Sequence, residues 1–432
     1  MKSNDLDLAP PIAVVDNLTA VPIDITKSKA EMIFDMLSHK CNVNSTTNFS
    51  MGNENGNAIF DLRQDISNAH LNDKHISNDK LRHHKFGMDN DSALRILEES
   101  IDSNSNNRLS LQYELKKPNC LNSHPIEWSP AGLYFDFWFS DLFPARYLEM
   151  WFPSNLIYDR FGFSLDIRII NTQIEHVLFS NGNINKTGDN SWTIEFPDKY
   201  SSFSHMLSIC PKNEIEIIND IMLLPNNGTN LKLQIFKLKT TSVNLIGIVK
   251  KLKMHISQNV LNIGPYIHGN KFTCFIWDNS IGRSMEYEGA VTTLERDLKH
   301  EVFHSWFARG VKPATQNDSW MDEGWTVYNT DEDFSSIKPF SPSEPPVLLS
   351  SPDPFNRITP DNSYGDGSRF FAGLAAELGY ENLNSYMNSF YKTYHEIPTT
   401  TKRLESYLIQ QSGNENLEKL FNRFVYGRSE NI

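Results

Sequence analysis

The 432-residue sequence predicts an α+β protein: a β-rich, sandwich-like N-terminal domain followed by a mostly helical domain. Three observations predict it. Between about 110 and 225, short aromatic and β-branched runs (LSLQYEL, GLYFDFWF, FSLDIRII, HVLFSNG, SWTIEFP) are separated by turn signals such as SNGN and KTGDN. Beyond about 240, apolar residues recur at helical spacing. One of those helical stretches carries HEVFH at 300–304, which places two imidazoles four residues apart.

Taken in order, residues 1–30 are polar and proline-containing and are expected to be poorly ordered. Residues 31–230 are expected to form the β domain, with an insertion over about 31–110 rich in Asn, Asp, Ser and His. Within that insertion DNDSALRILEESI (89–101) has a helical pattern through Leu94, Ile96 and Leu97. KLQIFKL (232–238) adds a strand leading into the second domain, residues 231–432. There SVNLIGIVKKLKMHISQNVL predicts a helix and FTCFIWD a strand. TTLERDLKHEVFHSWFARG predicts one continuous helix through Leu294, Leu298, Val302, Phe303, Trp306 and Phe307, ended by Gly310. Residues 335–363 hold seven prolines and read as a long irregular loop, a kind that often carries function. SRFFAGLAAELG, NLNSYMNSFYKTYH and NLEKLFNRFVYG close the chain as helices.

A formal net charge of -13 disfavours nucleic acid or an anionic membrane as the main partner. No apolar run is long enough to span a bilayer. The N-terminus lacks the basic start, continuous apolar core and small-residue cleavage site of a signal peptide. Cys41, Cys120, Cys210 and Cys274 are widely spaced, with no CxxC, and do not read as a disulfide framework. The expectation is a soluble cytoplasmic protein of unassigned oligomeric state.

His300 and His304, one helical turn apart, can present two nitrogens to one zinc ion. Glu301 can reach a water on that ion, as a general base must. A catalytic zinc needs a third protein ligand and one open position. DSWMDEGWTVY (318–328) offers Glu323, eighteen residues beyond His304, on a short helix that Asp318 or Ser319 can cap. Trp320, Met321 and Trp325 surround Glu323, and a buried carboxylate needs a partner. Asp322 is a candidate second partner for one of the histidines.

HEVFHSWFA followed by WMDEGW resembles the gluzincin zinc aminopeptidases, the aminopeptidase N and leukotriene-hydrolase type. MEYEGAV (285–291) is similar to that family's Gly-x-Met-Glu element, and SYGDGSRFF to its Tyr-x-x-Gly helix start. The resemblance covers about 110–432 and is strongest over 285–328. It implies a thermolysin-like catalytic domain, one zinc per chain held by His300, His304 and Glu323, and Glu301 as general base. It further implies that Tyr364 donates to the oxyanion, and that Glu286, beside Met285, grips the free amine of a peptide substrate. Asp141, ahead of Ala145-Arg146, is a possible contribution of the β domain to amine binding.

Three departures qualify the resemblance. Arg283 stands where the family has a glycine, and Tyr287 where it has asparagine. The spacing from Glu286 to His300 is shorter than usual in the family, and the family's C-terminal helical domain is expected to be missing after Ile432. The expected activity is removal of N-terminal residues from peptides. An endopeptidase or dedicated processing protease with the same zinc site is the first alternative, and an inactive peptide-binding relative the second.

Overall fold

The structure is a computed structural model that describes all residues except 1–4, 88–92, 118–124, 144, 226–227, 279–282, 332–335 and 430–432. The chain divides into two compact units, Met1–Ile217 with Phe236–Ser242, and Ile218–Ile235 with Val243–Ile432.

In the first unit an eight-stranded sheet is built around the long strand Ile23–Asp35, which pairs antiparallel with Lys40–Met51 and parallel with Gly162–Ile170. A five-stranded sheet and a four-stranded sheet complete it. This corrects two expectations. Residues 5–30 are not a loose tail: Ala13–Val15 and Leu18–Val21 pair with each other, and Ile23, Ile25, Ala30 and Met32 are buried. The Asn-rich stretch is not an insertion. In Lys40–Met51, Cys41, Val43, Ser45, Thr47, Phe49 and Met51 are buried, while Asn42, Asn44 and Asn48 occupy the alternate positions. A two-residue period needs only every other side chain to be apolar, so an asparagine-rich strand still presents one dry face.

The helical expectation for 89–101 also fails where the structure describes it. Ala93–Ile101 is a strand paired antiparallel with Gly56–Phe60, with Ile96 opposite Ile59. Its local helix formers are overridden by burial of Leu94, Ile96 and Leu97 in the sheet. Residues 89–92 lie outside the described residues.

A five-stranded sheet runs in the order Ile215–Leu223, Asn230–Leu238, Lys271–Ile276, Ala290–Thr293, Met285–Tyr287, and all of it except residues 215–217 and 236–238 belongs to the second unit. The α-helices of that unit are α1 (Leu245–Asn262), α2 (Leu298–Phe303), α3 (Trp320–Thr330), α4 (Asn362–Leu378), α5 (Tyr380–Tyr394), α6 (Thr401–Ser412) and α7 (Asn416–Phe424). Asn244 caps α1 by accepting the Ile246 N–H at 3.0 Å. That helix buries Leu245, Ile248, Val249, Leu252, Ile256 and Val260, each contributing about 1.5–3 kcal/mol by burial. A charge at Leu252 would break that face. The unit shares one core, in which Trp306, Trp320 and Trp325 are almost fully buried. No helix among the described residues is long and apolar enough to cross a membrane.

The helix bearing HEVFH is shorter than its apolar pattern predicts. α2 stops at Phe303, and the next residues form turns, with Ala308 at φ 130°. Trp306 and Phe307 are buried all the same. The turn supplies the burial that a longer helix would have given, so periodicity alone could not mark where the helix ends.

Candidate active site

α2 and α3 bring three donors together. His300 and His304 lie one turn apart, and the His304 N–H donates to the His300 carbonyl at 3.3 Å. Their Nε2 atoms are 3.0 Å apart, and Glu323 Oε2 lies 3.3 Å from His300 Nε2 and 3.4 Å from His304 Nε2. The far side of the His304 ring is held as well: Nδ1 is 2.9 Å from the Phe307 carbonyl and 3.2 Å from Thr326 Oγ1. Donation from Nδ1–H to that carbonyl fixes the ring so that Nε2 faces Glu323. Ser319 stands at the N-cap of α3 without a capping bond. Asp318 instead accepts from Thr315, and from the Thr401 N–H at 2.7 Å.

Glu301 is buried, and its Oε2 has no hydrogen-bond partner. Burial, followed by the negative charge of Glu286, pushes its carboxyl well above the usual carboxylate range. Glu323 moves the other way. Burial would raise it, but His304 and His300 outweigh burial through charge and hydrogen bonding, and hold it well below that range. His304 is raised well above the ordinary imidazole value: burial opposes the charge, but Glu286 and Glu323 favour it more strongly. Asp322 is raised by burial and by Glu323, and its Oδ1 accepts the Glu323 N–H at 2.9 Å. Buried acids therefore surround two imidazoles, a setting that calls for a cation. Two nitrogens, a carboxylate oxygen and an orphaned buried carboxylate match the donor set of a catalytic zinc site.

Tyr364 is the third residue of α4. Its hydroxyl donates to Glu323 Oε1 at 2.9 Å, and its ring stacks over His300 with centroids 6.3 Å apart. Glu286 lies in the strand Met285–Tyr287, with one carboxylate oxygen within 4.8 Å of a His304 ring nitrogen and of an Asp322 oxygen. By strand alternation Met285 turns to the opposite face from Glu286 and is buried there. Glu288 is buried and paired with Lys312, which leaves Glu286 as the carboxylate of this hairpin that reaches His304. Asp141 belongs to the first unit, in the segment after the strand Gly132–Asp136, and is half-buried.

Sequence reasoning missed Arg309, whose Nη2 donates to Glu286 Oε1 at 3.0 Å. A lone arginine five residues past a histidine carries no motif signal. It also missed the second support of His304 by Thr326, which stands three residues beyond Glu323 and so on the same side of α3.

With this geometry in place, the chain shares the two-domain fold of the M1 zinc metallopeptidases. A two-domain M1 zinc metallopeptidase bound to L-arginine is 15% identical, with 100% of each chain covered and a TM-score of 0.63. An M1 zinc metallopeptidase from Deinococcus radiodurans is 16% identical, with 99% of this chain and 98% of that chain covered and a TM-score of 0.64. Aminopeptidase A of Legionella pneumophila, in complex with aspartic acid, is 11% identical with a TM-score of 0.70. The match to it covers 96% of this chain and 51% of that chain. No protein-family model matches the sequence, and no curated protein matches it.

Proposed function

We propose that the protein is a zinc metallopeptidase, with a thermolysin-like catalytic domain over about 231–432, that removes N-terminal residues from peptides. The observation that carries this reading is the convergence of His300, His304 and Glu323 beside a buried, unpartnered Glu301 oxygen. The fold shared with M1 zinc metallopeptidases supports it. His300, His304 and Glu323 would hold one zinc ion. When bound, zinc supplies a Lewis acid for the scissile carbonyl and the attacking water.

The protein's own groups account for the remaining steps. Glu301, next to His300 in sequence and with an unpartnered buried Oε2, takes a proton from water and returns it to the leaving amine. Tyr364 turns its hydroxyl from Glu323 toward the developing oxyanion, a donor typically worth about 3 kcal/mol. Glu286 accepts the substrate's ammonium in a charge-assisted hydrogen bond, which sets the distance from chain end to cut. The three described free cysteines, all buried, support the reading of a cytoplasmic protein.

One observation favours an endopeptidase as the second reading: Arg283 and Tyr287, both buried, flank Glu286 where the resembled family has glycine and asparagine. Matched peptide pools with free and acetylated N-termini, read by mass spectrometry, separate the two. Single-residue ladders confined to the free pool support the aminopeptidase. Internal cuts in both pools support the endopeptidase, and zinc-independent or absent cleavage removes both.

A further inference from the structure

Arg309 is 1% exposed, and burying a guanidinium is costly unless its charge is met. The loop around it is shaped to hold it. Ala308, at φ 130° and fully buried, donates its N–H to the Val311 carbonyl at 3.1 Å. That φ lies in a region L-residues rarely adopt. At Gly310 a Cβ would press on the Trp306 carbonyl and stand 2.7 Å from the Tyr391 ring, so a side chain does not fit there. Between these two residues, the Arg309 N–H donates to the His304 carbonyl at 2.9 Å, tying its backbone to the end of the histidine-bearing turn. The side chain then crosses to the neighbouring strand. Its Nη2 donates to Glu286 Oε1 at 3.0 Å and to the Glu286 carbonyl at 3.3 Å.

We propose that Arg309 is the positioning residue for Glu286, setting that carboxylate beside His304 so that it can receive a substrate's ammonium group. This role rests on the aminopeptidase reading. One residue spans the two parts that must keep register, with its backbone on the zinc-binding turn and its guanidinium on the amine-binding carboxylate. Two contacts from one nitrogen fix both the strand and the carboxylate it carries. A carboxylate has two accepting oxygens, so Arg309 on Oε1 leaves the other for an ammonium. The guanidinium does not lose its proton, so its charge and its donors are present at every pH at which the protein is folded.

The test compares kcat/KM for a peptide with a free N-terminus and for its acetylated counterpart. It uses the full-length zinc-loaded wild type, Glu286→Gln, Arg309→Met, Arg309→Lys and the Glu286→Gln/Arg309→Met double variant. Zinc content and circular dichroism establish that each variant is folded and loaded. Arg309→Met is expected to lower the preference for the free amine by roughly tenfold or more, mainly through KM, as befits a hydrogen bond to a charged group. Arg309→Lys restores part of that preference. Adding Glu286→Gln to Arg309→Met costs little further, because the two residues act as one unit. Should Arg309→Met fail to fold, Arg309→Gln, which keeps an N–H donor without the charge, is read by the same criterion. An undiminished preference in a folded Arg309→Met or Arg309→Gln, with Glu286→Gln losing it, overturns the positioning role alone. An undiminished preference in Glu286→Gln removes the amine-binding reading, and this proposal with it.

Discussion

Gly324 on α3 and Gly367 on α4 meet backbone against backbone. A Cβ at Gly324 would stand 2.7 Å from the Gly367 carbonyl carbon, and one at Gly367 would stand 3.0 Å from Gly324 Cα. Each glycine sits beside a residue of the candidate site. Glu323 precedes Gly324 on α3, and Tyr364 lies one turn before Gly367 on α4. The close crossing is what lets the Tyr364 hydroxyl reach Glu323 Oε1 at 2.9 Å.

Gly324→Ala therefore tests the crossing. Alanine improves intrinsic helix propensity by about 1 kcal/mol, so on an uncrowded helix it would stabilise. Here its methyl meets backbone, which cannot swing aside, and overpacking of that kind costs about 1–3 kcal/mol. The expected net result is a lower midpoint in urea unfolding together with reduced peptidase turnover, as α4 and Tyr364 retreat from Glu323. A midpoint equal to or above wild type would show that the helices part without cost.

Glu301→Gln tests the assignment of the general base. The amide is nearly isosteric and keeps a polar group in the buried site, so zinc content should match wild type. It cannot take a proton from water, and loss of general acid–base catalysis lowers turnover by about 10²–10⁴-fold. Turnover within a few-fold of wild type in a zinc-loaded Glu301→Gln protein would remove Glu301 from the mechanism.

The candidate site was more legible in the sequence than the fold around it, for physical reasons. His300 and His304 lie one helical turn apart, so their spacing alone predicts their common face, and Glu323 follows on the next α-helix of the chain. Arg309 pairs with Glu286 across 23 residues and two elements, and no local pattern encodes that contact. The helix predicted over 89–101 failed because Leu94, Ile96 and Leu97 suit a buried strand as well as an amphipathic turn. The Asn-rich strands were missed because asparagine disfavours strands in general. In Lys40–Met51 it occupies only the positions alternate to the buried ones.

Metal removal should act on stability as well as on activity. A ligand that binds only the folded state adds stability as the logarithm of one plus the ratio of its free concentration to its Kd. Thermal unfolding of the zinc-loaded protein should shift downward on chelation and recover on adding zinc. In His300→Ala, which loses one of the three converging donors, that zinc-dependent shift should shrink or vanish. Zinc uptake should also weaken as pH falls, because His304 is held above its usual pKa and must lose a proton to become a ligand. An equal zinc-dependent shift in wild type and His300→Ala would place the metal elsewhere.

His205 links the stability of the first unit to pH. Its ring is fully buried among Phe161, Phe163, Phe196 and Tyr200. Burial lowers its pKa from 6.5 to about 3. Below the upper value the unfolded chain takes up a proton that the folded chain refuses. Stability is therefore fully present above that value and falls with pH until the lower one, at about 1.4 kcal/mol per pH unit. His205→Leu removes this proton uptake. Urea unfolding at pH 7 and pH 5 should show wild type losing about 2 kcal/mol more than the variant between the two conditions. Equal losses would mean that His205 is already protonated in the folded protein, or that its ring is reached by solvent.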